Sequence, residues 1–340
     1  MWRFFQYAVA GRGHEKRDIP CQDKTFILER DGVKVIALAD GAGSARLSHY
    51  GAACVSEFIC QEMADKFAEY YNQPNGAVVK THIISVLCNA LQKLAEKEKC
   101  TIDDLASTLL FVAVKNEQYI IGHIGDGVIG YIKNNELKVA TKPANGEFAN
   151  TTYFVTTGNA AESFQLIKGK LNNGINGFVL FSDGTETSFY DKREEKLVSA
   201  LKSIMNLVRI VQPHKIDFLI RDFFDNNVRK ATLDDCSIVI MVNDYDKPFG
   251  EYDIRLKAEM LLFSVFQRNI NKKVETYQKI LSLLCQPRTL WEFSKIIFLK
   301  PKIAQKRLAR LRQANLIELK NGQYQSILIN HEEDKDEGSC

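Results

Sequence analysis

No two cysteines in this 340-residue chain are spaced Cys-x-x-Cys, and none opens a Cys-x5-Arg loop. The first absence removes the thioredoxin-like dithiol, and the second removes the thiolate that would make phosphoryl transfer covalent. Gly-x-x-x-x-Gly-Lys is missing as well, which argues against an NTPase. No stretch approaches the ~20 apolar residues of a membrane span. The short apolar start ending in Ala8-Val9-Ala10 reads as a first strand, not as a leader. The eight cysteines lie mostly in apolar stretches, as buried free thiols do in a reducing compartment, so a cytoplasmic location is expected. With 45% hydrophobic and 26% charged residues, the chain has the makeup of an ordinary globular protein, long enough for one large domain and a small one. Its net charge of +3 is unevenly spread. Residues 271–330 hold 12 Lys and Arg against 3 Asp and Glu, so the C-terminal part is basic and the remainder mildly acidic.

What is present is a repeated punctuation. The apolar run Val33 to Ala39 stops at Asp40-Gly41, Tyr119 to Gly125 stops at Asp126-Gly127, and Gly177 to Ser182 stops at Asp183-Gly184. A fourth run, Ser237 to Val242, is preceded by Asp234-Asp235. One Asp-Gly is only a turn signal. If that last strand lies antiparallel to its neighbours, its beginning sits beside their ends, and the four carboxylates would converge at one sheet edge. Packed carboxylates repel and raise one another's pKa, so such a cluster persists only if a cation neutralises it or a proton is shared. No His or Cys accompanies the four, and an all-oxygen shell suits Mg²⁺ or Mn²⁺.

Along the chain, helical periodicity predicts helices over Ser48–Tyr71, with Ser48 as cap, and over Ala77–Lys97. An antiparallel meander runs from Thr108 to Ala140, with a turn at Lys133-Asn-Asn135. Residues 145–171 carry no assignable pattern. Helices are expected over Glu194–Ile210 and His214–Arg229, then a last strand over Ser237–Val242. This order of elements predicts an α+β fold, helices covering an antiparallel sheet sandwich. The expected domains are 1–245, a helical linker 246–270 (helix about Tyr252–Phe266), a basic domain 271–330 and an acidic, disordered tail 331–340. In the basic domain, helices over Val274–Cys285, Thr289–Phe298 and Lys302–Ala314 and a hairpin at Asn321-Gly322 suggest a winged helix.

Taken in order, His14, Cys21-Gln-Asp23, Ala39-Asp-Gly-Ala-Gly-Ser44, Gly125-Asp-Gly127, Ser182-Asp-Gly184 and Asp234-Asp-Cys-Ser237 resemble the metal-dependent protein phosphatases of type 2C, most closely their compact bacterial branch. The resemblance covers the first 245 residues and implies a four-layer αββα sandwich with two metal ions at one end. It makes Asp40 the bridging ligand, puts the Gly41 carbonyl on one ion, and assigns Asp183 and Asp234 to the other. Asp40, Asp183 and Asp234 would form the catalytic set, and Asp126 would hold an additional, weaker ion. Asp23 would hold ion-bound waters, with Gln22 and Asp235 beside it; Asp235 could instead cap a turn. The implied activity is hydrolysis of phosphoserine and phosphothreonine in proteins by a metal-activated water at a dinuclear Mn²⁺/Mg²⁺ site. A cognate serine/threonine kinase and a role in signalling follow from that.

The chain departs from the family at three places. Gln22 replaces the usual glutamate, Ala42 replaces the proton-donating histidine of many eukaryotic members, and Asp18 falls where a phosphate-gripping arginine is common. His14 and Arg17 are candidate phosphate contacts, although His14 could simply bond its turn, while His49 and His123 read as structural. In the basic domain Lys302, Lys306, Arg307 and Arg310 lie along one helix and could meet nucleic acid or a protein, two partners the sequence leaves equally open. A rival to the enzyme is a phosphatase-fold sensor of low or no activity that controls a DNA-binding winged helix.

Overall fold

In the computed structural model, which describes residues 2–143, 152–171, 174–243, 248–264 and 267–328, the β-branched runs become strands. Strands β1 (Trp2–Val9), β2 (Lys24–Arg30) and β3 (Val33–Ala39) flank the short helix α1 (Arg12–Glu15). Helices α2 (Ser48–Asn72) and α3 (Gly76–Glu98) follow, then β4 (Leu109–Lys115), β5 (Gln118–Ile124), β6 (Val128–Lys133) and β7 (Glu136–Thr141). Next come α4 (Ala160–Ser163), β8 (Gln165–Lys170), β9 (Ile175–Phe181), α5 (Asp183–Phe189) and a small ribbon, β10 (Tyr190–Asp191) with β11 (Lys196–Leu197). Helices α6 (Ser199–Ile210), α7 (Pro213–Phe223) and α8 (Arg229–Ala231) precede β12 (Cys236–Asn243).

Two antiparallel five-stranded sheets result, ordered β2-β3-β4-β5-β8 and β1-β12-β9-β6-β7. The expected single meander is therefore divided: β4 and β5 lie in one sheet, and the chain crosses at Gly125-Asp126-Gly127 to place β6 and β7 in the other. The crossing needs glycine. Gly125 has φ +115°, and a Cβ there would lie 2.5 Å from the Thr108 methyl group. Tyr119 and Phe178 meet across the two sheets with ring centroids 5.4 Å apart. Helices α2 and α3 cover the first sheet through Val55, Ile59, Met63, Phe67, Ile83 and Leu87, all essentially buried. Each such side chain contributes roughly 1.5–3 kcal/mol by leaving water.

Several boundaries differ from the periodicity, for local reasons. Leu47, not Ser48, occupies the cap of α2, and the Ser48 hydroxyl instead accepts from Gln22 Nε2 at 2.8 Å. The helix expected from Glu194 begins only at Ser199, because Lys196–Leu197 pairs with Tyr190–Asp191. The one expected over His214–Arg229 changes to a π-turn at Phe224–Val228, packing Phe224 edge-on to Tyr7 with centroids 5.7 Å apart. In the unassigned stretch the structure has α4 and β8; its residues 145–151 and the acidic tail lie outside the described residues.

The described residues pack as two units, 4–201 with 221–242, and 2–3 with 202–220 and 243–328. In the second, the linker helix shortens to α9 (Ile254–Met260), ended by Leu262 in the left-handed region. Helices α10 (Ile270–Leu283), α11 (Leu290–Ile296) and α12 (Pro301–Gln313) then alternate with the sheet β13 (Arg288–Thr289), β15 (Gln323–Ser326) and β14 (Ile317–Lys320), in that spatial order. Asn321 and Gly322 both take positive φ, as a tight hairpin turn requires. Phe293, Leu308, Leu311 and Leu316 form its interior. Lys202–Glu259 and Lys215–Glu318 ion pairs, at 2.7 and 2.8 Å, tie the residues of α6 and α7 to this same unit.

Candidate metal centre

The carboxylates gather because strands run antiparallel. Asp40 follows β3 and Asp126 follows β5 in the first sheet; Asp183 follows β9 in the second, where β12 pairs with β9 through Ile238–Phe181 and brings Asp234 beside it, so the four come from two sheets and not from the one sheet edge expected. One carboxylate oxygen from each of Asp40, Asp126 and Asp183 lies within 4.8 Å of the others. They line a cleft of about 530 Å³ together with Gly41, Asp234, Gln22, His14 and Arg17. The Asp40 backbone is fixed on both sides, its N–H donating to Thr108 Oγ1 at 2.9 Å and its carbonyl accepting from Thr108 N at 2.8 Å.

The electrostatics are those of unneutralised acid. Asp40 keeps a face to the cleft, yet loss of water holds its carboxyl well above the usual range, helped by the negative charge of Asp23, Asp183, Asp126 and Asp234. Asp183 is pushed up to about 6 by burial, then by Asp126 and Asp234. Asp23, only 1% exposed, rises to about 7 through burial and then Asp235. The Ser182 and Ser237 hydroxyls pull it back, but neither reaches hydrogen-bonding geometry with the Asp23 oxygens. Both oxygens of Asp23 and Oδ1 of Asp183 are buried without a partner. Among the described residues no ion pair reaches Asp40, Asp126 or Asp183 in compensation. Carboxylates that converge on one cleft, with Oδ1 of Asp183 left without a partner, fit Mg²⁺ or Mn²⁺, which take such hard oxygen ligands and would satisfy them.

The surrounding residues divide by what they touch. Asp126 Oδ2 accepts from Thr152 Oγ1 at 2.6 Å. Gln22 lines the cleft and anchors to Ser48. Asp235 caps neither a turn nor the cleft: Oδ1 accepts from Gly11 N at 2.7 Å and lies 2.8 Å from His14 Nδ1, while Oδ2 accepts from Gln22 N at 2.6 Å. It thereby fixes the loop carrying His14, which is 8% exposed, and brings Gly11 so close to Asp234 that a Cβ would sit 2.2 Å from the Asp234 carbonyl carbon. Arg17 Nε donates to the Gly13 carbonyl. Arg12 is turned away, its guanidinium donating to the Lys230 and Thr232 carbonyls. His123 is structural: fully buried, bonded at 2.8 Å to Thr141, its pKa lowered to about 4 by burial. His49 packs against Tyr50, ring centroids 4.3 Å apart and tilted by 36°.

Sequence reasoning missed Thr108, Thr152, Phe154 and Leu233, which complete the cleft. None carries a motif, and only Thr108, at the mouth of an apolar run, offered a signal. In the other unit Lys302 and Lys306 are exposed, Arg307 is half-buried, and Arg310 lies 4.4 Å over the Phe263 ring while donating to the Leu262 carbonyl.

Residues 10–219 match the family model described as protein phosphatase 2C. Over 169 residues the chain is 26% identical to serine/threonine-protein phosphatase 3 of Escherichia coli (strain K12), a match covering 48% of this chain and 66% of that relative's length. A crystal structure of a bacterial serine phosphatase is similar in fold, with TM-score 0.51 and 16% identity over 73% of this chain and 100% of its own. A C. elegans sex-determining protein shares the fold at TM-score 0.50 and 13% identity, over 70% and 64% of the respective chains. No described helix is long and apolar enough to cross a membrane.

Proposed function

The chain belongs to the protein phosphatase 2C family, and on that premise we propose that it hydrolyses phosphoserine and phosphothreonine in proteins at a dinuclear Mn²⁺/Mg²⁺ site. The observation carrying the proposal is the convergence of Asp40, Asp126 and Asp183 within 4.8 Å, with Oδ1 of Asp183 buried and lacking any partner. In this reading Asp40, the Gly41 carbonyl, Asp183 and Asp234 would hold two ions. Asp126 takes a weaker third ion, and Asp23 bonds waters of the ion shell. Bound there, the ions would acidify a shared water and neutralise phosphoryl oxygens. The chain's own residues do the positioning. Thr108 keeps Asp40 from turning with its strand end, Thr152 orients Asp126, and Asp235 sets the His14 ring. His14 and Arg17, which line the cleft, are its candidate donors toward phosphate. An assembled carboxylate set supports an enzyme over a silent sensor.

Further assignments belong to the same reading. The substrates are products of a serine/threonine kinase in cytoplasmic signalling, a location supported by buried cysteines such as Cys60 and Cys236 that form no disulfide. The three helices and three-stranded sheet of residues 270–326 suit a winged helix, which would recruit a protein or nucleic-acid partner. The test is hydrolysis of a phosphothreonine peptide with Mn²⁺, beside Asp183→Asn and a chelator control. Metal-dependent activity that falls by about two orders of magnitude or more in the variant supports the assignment. Equal rates in the two proteins, or activity that survives chelation, would remove it.

A further inference from the structure

Helix α11 ends in a left-handed turn that normally belongs to glycine. Leu299 N donates to Ser294 O at 3.0 Å and Phe298 N to Lys295 O at 3.2 Å, the paired bonds of a Schellman C-cap. The residue at the left-handed position is Phe298, with φ 52°. Half of the twelve non-glycine residues described with positive φ are asparagines, whose short polar side chain tolerates that conformation; Phe298 is the one aromatic. Its ring is 94% exposed. Backbone strain and a solvated aromatic ring thus coincide at one residue, and neither favours the isolated fold.

Around it the same helix–turn–helix segment exposes Trp291 (62%), Ile303 (45%) and Ile296 (39%). Charge rims these side chains with one sign. Lys295 Nζ sits 3.4 Å over the Trp291 ring, and Lys300, Lys302 and Lys306 are exposed. Between Arg288 and Leu316 the only acidic residue is Glu292, whose Oε2 accepts from the Thr289 backbone and hydroxyl as a helix cap. Phosphate backbones would not desolvate four large apolar side chains, and Arg310, which a groove-reading helix would offer, is stacked on Phe263. An aromatic anchor at the centre of apolar contacts, with charge at the rim, is how protein interfaces concentrate their affinity. We propose that the α11–α12 turn is a docking knob, inserting Phe298 into an apolar pocket of a protein partner whose rim carries Asp and Glu. This surface goes beyond the phosphatase assignment and does not depend on it.

The test pans a random peptide library against the full chain and measures the enriched peptides on Phe298→Gly and on Lys302→Glu. Glycine suits the left-handed turn, so Phe298→Gly should melt no lower than the parent. The expected result is peptides with apolar anchors beside Asp or Glu, bound at least about ten-fold more weakly by Phe298→Gly and weakened also by Lys302→Glu. Phosphopeptide hydrolysis by both variants should match the parent. Failure to enrich any peptide, or peptides held equally by Phe298→Gly, overturns the proposal. So does a salt-dependent complex with duplex DNA that Lys302→Glu abolishes and Phe298→Gly leaves intact, which would assign the surface to nucleic acid.

Discussion

Asp40 and Asp183 sit at ends of strands whose positions are set by sheet neighbours, whereas Lys302 and Lys306 extend into water from a 13-residue helix. The first region accumulates like charge in a recess with too little solvent to screen it. The second spreads like charge over a surface where water and salt screen it readily. An acidic site of the first kind stores repulsion that a bound cation or a proton relieves, and its residues should be intolerant of change. A basic face of the second kind is tolerant, and it acts through its sum and through the apolar side chains it frames.

Replacing charge in the recess should separate activity from stability most sharply. Asp40→Asn is expected to lower phosphopeptide hydrolysis by about three orders of magnitude, near 4 kcal/mol of barrier. In chelator the same variant should unfold at higher urea than the parent, because a repelling charge is gone. A parent that is the more stable of the two without metal would break the contrast.

Titration gives the next largest effect. With raised pKa values, Asp23 (about 7), Asp183 (about 6) and Asp40 keep protons in the folded chain at a pH where the unfolded chain has released them. Folding is then favoured by protonation, so stability in chelator is highest near pH 4 and is lost as pH rises toward 7, by on the order of a few kcal/mol. Saturating Mn²⁺ should flatten that slope, as urea melts between pH 4 and 7.5 would record.

Thr152→Val removes the hydroxyl from Asp126 without changing its size, and should weaken Mn²⁺ binding about ten-fold in calorimetry. On the basic face, Lys306→Ala should shift stability by no more than about 0.5 kcal/mol and leave hydrolysis unchanged. A large loss there would show that this helix is not the tolerant surface its exposure implies.

Most of the acidic site could be read from the chain because strand, turn and ligand chemistry coincide within three residues at Asp40, Asp126 and Asp183. The antiparallel entry at Asp234-Asp235 was legible for the same reason. Thr152 was not, since its partner Asp126 is 26 residues away and its own stretch has no period. Asp235 was named as a companion of the ions, but its three bonds to the Gly11–Gln22 loop are a tertiary choice that no local pattern announces. Arg310 read as an outward basic residue because its periodicity is correct; only the Phe263 ring, 47 positions earlier, turns it inward. Similarly, Lys196–Leu197 would have lengthened a helix had Tyr190–Asp191 not been available as a strand partner.

The edge strand β1 has a single neighbour in its sheet, β12, whose first residue is Cys236. During synthesis, therefore, Trp2–Val9 leaves the ribosome with nothing to pair with until more than two hundred further residues have followed. The loop after it waits equally long for Asp235, and the cleft waits for Asp234. Growing chains thus carry Asp40 and Asp126 for much of their translation without a finished site, which is complete only once the last strand of the two large sheets, β12, arrives.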